Sequence, residues 1–210
     1  MYIDLTKTVN AFRKVRQVRE EYERYAIGGI PTKISVDTLR DIVSQMYERE
    51  IVMRAVPYGA MLTRGLIAEY GSQSIVYVSR SLDEDWLRFT VVKEICHIVI
   101  EEEEDWSVDG VETIKNLILD IRLAGQHDPN DNATQSEILA ELAAIELMYP
   151  FDSRQFDRKR LVAGETNPVK LANEQGLPQA IIAQAVSKRY NDEVASVAWG
   201  EVNRVRHAAE

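Results

Sequence analysis

Lys93-Glu94-Ile95-Cys96-His97 reads as H-E-x-x-H with its first histidine replaced by lysine. In the intact motif two histidines, four residues apart on one helical face, hold a zinc ion, and the glutamate between them activates the metal-bound water. Here the glutamate and the second histidine stand. A lysine amine, with a reference pKa of about 10.4, must lose its proton before it can donate to a metal. The pentad therefore predicts a zinc-peptidase scaffold and argues against zinc-peptidase chemistry. Its structural reading is an ammonium paired with nearby carboxylates, Glu94, Glu137 or Glu141, which satisfies a partly buried polar site without a metal. On these residues no cofactor is favoured. Zinc stays open only if His97 is joined by Glu137, Glu141 or a recruited His127, with Glu94 then acting as general base.

The element that must position these residues is the stretch Ser81 to Trp106, SLDEDWLRFTVVKEICHIVIEEEEDW. Ser81 and Glu84 form a capping box, so a helix is expected from Leu82. Leu87, Val91, Ile95, Ile98 and Val99 recur at helical spacing and are expected to bury one side. Cys96 stands beside His97, but consecutive helical residues point about 100° apart, so a small buried hydrophobe is the better reading than a thiol nucleophile. The run Glu101, Glu102, Glu103, Glu104 and Asp105 follows at the helix exit. Negative charge is unfavourable there, so helix stability does not explain it. A docking surface for a basic partner would explain it, and a solvated exit is the ordinary alternative.

Around this helix the pattern predicts two amphipathic helices before any strand. Residues 5 to 26 carry Val9, Phe12, Val15, Val18, Tyr22 and Tyr25 at helical spacing, ending at Gly28-Gly29, and Ser35 is an N-cap for a second helix with Leu39, Ile42, Val43 and Met46. Arg13, Lys14, Arg16 and Arg19 interleave with Glu20, Glu21 and Glu23, the pattern of a solvated face. Three short β-rich runs follow, Ile51 to Val56, Leu62 to Tyr70 and Ser74 to Ser79, and their turns predict an antiparallel meander. The third run would border the cleft of a zincin-type site and could take an extended peptide as an added strand. Val111 to Ala124 reads as a helix. After a breaker at residues 125 to 132, Thr134 and Glu137 form another capping box for the helix EILAELAAIELMYP, which stops at Pro150. Asn167-Pro168 and Leu177-Pro178 look like helix starts.

The order of these parts resembles the ImmA/IrrE family of bacterial and phage metallopeptidases. The resemblance rests on the strand Ile75-Val76-Tyr77-Val78, on Leu87-Arg88-Phe89-Thr90 before the altered pentad, and on the helix from Ala140 closing in Leu147-Met148-Tyr149-Pro150. It covers roughly residues 35 to 190. His97 matches the family's second zinc histidine and Glu94 its catalytic glutamate. Lys93 stands where the first histidine belongs, and counting back from Pro150 puts Leu139 at the third ligand, with Glu137 and Glu141 two residues to either side. The resemblance implies a zincin-like fold and, as the family's usual partner, a helix-turn-helix repressor of a phage or mobile element.

Bulk properties bound the alternatives. The chain has 210 residues with 25 Lys+Arg against 34 Asp+Glu, a formal net charge of -9 that disfavours a general nucleic-acid binder. Ten acidic residues lie between positions 81 and 110, so the acidity is concentrated at the central helix and its exit. The single cysteine allows no intrachain disulfide, and no signal-peptide or membrane-spanning run appears, so a cytoplasmic protein is expected. Residues 168 to 190 have helix-turn-helix spacing, yet only Gln179, Gln184, Lys188 and Arg189 suit base reading, so packing is the better account.

The expectation is an α+β protein. Residues 1–150 form a zincin-like domain with a small antiparallel sheet and a central motif helix, and residues 151–210 a helical C-terminal extension packed on it. Functionally it is expected to be a degenerate regulator that binds a protein partner. The alternatives are an active zinc endopeptidase cleaving a helix-turn-helix repressor, and a DNA-binding module using residues 168–190.

Overall fold

A computed structural model of the chain describes residues 4–25, 33–57, 64–100 and 132–207. Helix α1 (Leu5–Tyr25) buries Phe12, Val15, Val18 and Tyr22 along one face, as its spacing predicts, while Tyr25 is exposed. Each such aliphatic or aromatic side chain contributes roughly 1.5–3 kcal/mol on burial. Its basic side chains are engaged by carboxylates on the same helix and by groups far along the chain, so the solvated-face pattern holds only in part. Arg16 faces Glu20 at 4.0 Å and Arg19 faces Glu23 at 3.8 Å, while Arg19 Nη1 donates to the Leu147 carbonyl at 2.7 Å. Helix α2 (Val36–Met46) starts where expected, with Ser35 Oγ accepting from the Thr38 amide at 3.3 Å.

Strands β1 (Glu50–Val56), β2 (Gly65–Tyr70) and β3 (Gln73–Ser79) form one mixed sheet in the order β1-β3-β2. The expected meander is only half present. β2 and β3 pair antiparallel, Gly65 opposite Val78 and Tyr70 opposite Gln73, but β1 runs parallel to β3, with Glu50 opposite Gln73 and Val56 opposite Ser79. A tight turn at Gly71 (φ 59°) dictates only its own hairpin and leaves the direction of β1 undetermined. As a result β3 is the central strand, paired on both sides, so it cannot accept a further strand as the sequence suggested.

Helix α3 (Glu84–Ile100) begins two residues later than the Ser81 box would place it. Asp83 is its cap, its Oδ1 accepting from the Trp86 amide at 2.9 Å, while Ser81 Oγ pairs with Ser79 Oγ at 2.8 Å. From Phe89 to Ile100 every residue of α3 except Lys93 is buried, so this is a core helix enclosed on all sides rather than an amphipathic one. Helix α4 (Asn132–Met148) packs along it. Since α4 already starts at Asn132, Thr134 and Glu137 lie inside it and are not its terminal box, and Glu137 turns to α3 instead. The expected helix at 111–124, the turn at 28–29 and the acidic run 101–105 lie outside the described residues.

Helices α5 (Phe151–Val162), α6 (Pro168–Gln175) and α7 (Gln179–Ala185), a π-helical segment (Arg189–Ala195) and α8 (Ser196–His207) complete the described chain. Asn167 caps α6 through the Lys170 amide at 2.9 Å, with Pro168 at the first turn as predicted. Pro178 is the residue before α7 rather than its first helical position. One hydrophobic cluster runs from Phe12 and Val15 through Val92, Ile95 and Ile145 to Leu177, Ile182 and Val202, and the Phe12 and Trp199 rings meet at 5.2 Å.

Gly176 closes α6 in the left-handed region (φ 60°), and its carbonyl accepts from Arg88 Nη1 of α3 at 2.5 Å, while Arg88 Nη2 reaches the Ile34 carbonyl at 3.1 Å. A Cβ at this position would lie 2.4 Å from Arg88 Nη1 and 2.9 Å from Lys33 Nζ. Gly176→Ala should therefore cost about 1–3 kcal/mol, summing the left-handed backbone penalty and a displaced charged hydrogen bond. Urea unfolding reads this directly, and an unchanged midpoint would contradict it.

Candidate functional site

Lys93, Glu94 and His97 project from α3, and Glu137 meets them from α4, because those two helices lie side by side with their buried faces in contact. Lys93 Nζ lies 2.6 Å from Glu137 Oε2 and 3.1 Å from Glu94 Oε1. His97 Nε2 lies 3.4 Å from the other oxygen, Glu137 Oε1, and its Nδ1 is 3.2 Å from Ser136 Oγ. One carboxylate thus bridges an ammonium and an imidazole. Lys93 and Glu94 are 18% and 2% exposed and Glu137 39%, so the cluster is buried at its floor and open at one edge.

The strand side of the site is equally close. Gly65, at the start of β2, leaves no room for a side chain: a Cβ there would fall 2.5 Å from Thr90 Cγ2 and 3.0 Å from Glu94 Oε1. This close approach of backbone to helix is what the glycine permits. β3 packs against α3 as expected, but the edge strand beside the pentad is β2.

The charges fix one another's protonation. Burial alone would lower the Lys93 pKa, but the charges of Glu94 and Glu137 and their hydrogen bonds outweigh it and raise the value above the ordinary lysine range. For Glu137 burial alone would raise the pKa. The hydrogen bond to His97 and the Lys93 charge reverse that and hold the carboxyl well below the usual carboxylate range. Cys96, at 0% exposure, has its thiol pushed upward by burial and further by the Glu94 charge, the reverse of what a thiolate nucleophile needs.

Of the residues singled out by sequence, the structure brings Lys93, Glu94, His97 and Glu137 together. Glu141 is turned away, accepting from Gln184 Nε2 of α7 at 2.7 Å, and Leu139 is a buried apolar side chain. His127 and the run Glu101, Glu102, Glu103, Glu104 and Asp105 lie outside the described residues. Among the described residues no three His, Cys, Asp or Glu side chains are grouped as they would be around a metal ion. Among the described residues the donor set does not fit zinc: a protonated amine holds the place between Glu94 and Glu137, and His97 and one Glu137 oxygen are left facing each other.

A second polar cluster was not anticipated from sequence. Arg154, fully buried, donates through Nη2 to Glu146, through Nη1 to the Tyr149 carbonyl and through Nε to Asn191 Oδ1 at 3.3 Å. Glu146 also accepts from Tyr190 OH at 2.7 Å and Trp199 Nε1 at 2.9 Å. Nearby, Tyr149 OH donates to Asp157 Oδ2 at 2.9 Å, and Arg160 joins Asp157 (2.6 Å) to Glu174 (3.2 Å). The legible signal was Glu146 itself, the one charge in the run Ala143-Ala144-Ile145-Glu146-Leu147-Met148, since a carboxylate among core residues requires donors. Ser136 beside His97 was also missed, and nothing in its sequence context marks it.

Compared with known proteins, this chain matches no protein-family model and no curated protein. Among the described residues no helix is long and apolar enough to cross a membrane.

Proposed function

We propose that this chain is a degenerate, ImmA/IrrE-like regulator that acts by binding a protein partner and has given up peptide hydrolysis. The observation that supports it is the engagement of Lys93 Nζ by Glu94 and Glu137, at 3.1 and 2.6 Å. A metallopeptidase glutamate must be free to take a proton from metal-bound water. Glu94 is instead ion-paired to a permanent cation in a 2% exposed position, and a lysine stands in place of the first metal ligand. The partner suited to the chain's charge is a basic protein of the helix-turn-helix class, met by the acidic residues 101–105. A direct DNA role through residues 168–190 has little to draw on, since of the four side chains suited to base reading Gln184 is engaged by Glu141, leaving Gln179, Lys188 and Arg189 exposed.

The test is metal analysis of the purified chain together with a protease assay on unfolded casein, with and without Zn²⁺, for the wild type and Glu94→Ala. No zinc-dependent cleavage in either protein is the expected outcome. Zinc-dependent cleavage that disappears in Glu94→Ala would establish the peptidase instead. Binding is read by titrating the chain against basic helix-turn-helix domains, where salt-sensitive association should weaken when Glu101 to Glu104 are changed to Gln.

A further inference from the structure

We infer that the open groove between α5 and the end of α6 takes an arginine side chain from a protein partner, its guanidinium lying on Phe156 and pairing with Asp152. The inference deepens the partner-binding reading above and rests on it for the source of that arginine, but it adds a contact made by residues other than 101–105. The groove follows from spacing. Asp152, Phe156 and Arg160 recur every fourth residue on α5 and share one face, and Glu174 adds to the wall from α6. Together with Asp157 they line a space of about 680 Å³. Of the chain's four phenylalanines Phe156 alone is exposed, at 64%. Single exposed apolar side chains are ordinary on a surface, whereas an aromatic ring set in a groove among carboxylates is a place for a cation.

The groove already holds one cation of this kind. Arg160 Nη1 lies 2.6 Å from Asp157 Oδ1 and 3.2 Å from Glu174 Oε2, and its guanidinium carbon is 5.8 Å from the Phe156 ring centroid. Carboxylates beside an aromatic ring suit a planar guanidinium better than a lysine ammonium, because the one group can hydrogen-bond and stack at once. Asp157, 3% exposed, is also held by Tyr149 OH at 2.9 Å, so this wall is in place before any ligand arrives. Surface and charge remain for a second guanidinium. Phe156 is largely open to solvent, and Arg160 answers Asp157 and Glu174, the latter also facing Lys170 at 4.0 Å, but not Asp152. Asp152 is exposed on the first turn of α5 and makes no ion pair among the described residues. The lining therefore sets Asp152, Asp157 and Glu174 against the one guanidinium of Arg160, a negative balance that suits a basic partner.

The experiment titrates the isotope-labelled full-length chain with an acetylated, amidated Ala-Arg-Arg-Ala peptide and with its analogue carrying citrulline for arginine, which keeps the planar group and removes the charge. Amide chemical shifts report where each peptide sits. The arginine peptide should give saturable shifts at Asp152, Phe156 and Glu174, and the citrulline peptide none. Phe156→Leu keeps an apolar side chain without the ring and should weaken binding by about two- to fivefold, whereas Phe156→Trp should tighten it. Asp152→Asn should weaken it by about twofold. Both side chains are exposed, so these variants should fold as the wild type does. Changing Glu101 to Glu104 to Gln should leave the groove shifts unchanged. Shifts confined to other parts of the chain, equal binding of the citrulline peptide, or indifference to Phe156→Leu and Asp152→Asn would overturn the inference, while the partner-binding reading would stand if helix-turn-helix domains still associate. Arginine peptide in the groove with no helix-turn-helix domain bound would leave the groove assigned and overturn that reading of the partner.

Discussion

Arg154→Met should destabilise the chain by about 3–5 kcal/mol, the loss expected when one member of a buried ion pair is removed and its partner is left charged in the interior. Arg154 and Glu146 each have 0% side-chain exposure, so water cannot compensate for the missing guanidinium. Methionine keeps the apolar volume of the arginine stem, which isolates the electrostatic loss from a cavity. Glu146 would retain only the neutral donors Tyr190 OH and Trp199 Nε1, while the Tyr149 carbonyl and Asn191 Oδ1 would each lose a donor. For a chain of this length the melting temperature should fall by roughly 6–20 °C. Because Tyr190, Asn191 and Trp199 lie in the last segments and Glu146 in α4, the loss should appear first as weakened docking of the C-terminal elements, read as earlier amide exchange there than in α3. The double variant Arg154→Met/Glu146→Leu should be less destabilised than the two single changes added together. A loss below about 1 kcal/mol for Arg154→Met would mean that the pair is structurally idle.

That network shows where a linear reading stops. The charged segment Asp152-Ser153-Arg154-Gln155-Phe156-Asp157-Arg158-Lys159-Arg160 resembles a solvated face. The fold nevertheless buries Arg154 and Asp157 and exposes Phe156 to 64%. Which charge goes inward is set by where Glu146, Tyr190 and Trp199 end up, and those are 8 to 45 residues away along the chain. Local signals fared better when their physics was local. Ser35 and Asn167 cap their helices through amides three residues on, and the apolar stripe of α1 is buried as its period requires. They failed where two local solutions compete. Ser81 and Asp83 are both acceptable caps, and Asp83 was selected. Glu137 suits a capping box with Thr134, but pairing with Lys93 and His97 across the helix interface won. Strand order failed for a related reason: the β2–β3 turn is encoded in Gly71, whereas nothing short-range records that β1 lies parallel to β3. The pentad was legible as a polar cluster built round a buried lysine, and the carboxylates for that lysine were narrowed to three. Selecting Glu94 and Glu137 over Glu141 required the packing angle of α4 on α3.

Lys93→Met tests the ion cluster itself, with an acid dependence that a simple packing defect would not produce. At neutral pH the variant should lose about 1–3 kcal/mol, less than a fully buried pair because Lys93 is 18% and Glu137 39% exposed. Glu94, at 2% exposure, would be left facing Glu137 with no cation between them. In the wild type the Glu137 carboxyl is held below its unfolded value, since the His97 hydrogen bond and the Lys93 charge overcome the cost of burial. A group whose folded pKa is depressed contributes stability that is present above its unfolded pKa, about 4.3, and is lost as pH falls through the folded value. Wild-type stability should therefore decline from about pH 5 downward through this group. Removing the Lys93 charge brings the folded Glu137 pKa back toward the unfolded one, so the variant should show a shallower acid dependence. The two unfolding curves, separated at pH 7, should begin to approach each other below about pH 4 and close further as pH falls toward the folded Glu137 value. At the alkaline end the sign is opposite. The raised Lys93 pKa contributes stability that is full below the unfolded lysine value of about 10.4 and is lost only as pH climbs through the higher folded value, so the gap should persist across the neutral range. Urea midpoints for both proteins at several pH values between 3 and 9 decide the matter. A pH-independent difference would mean that Lys93 matters for its hydrocarbon stem alone, and the ion cluster would lose its claim to be the organising feature of the site.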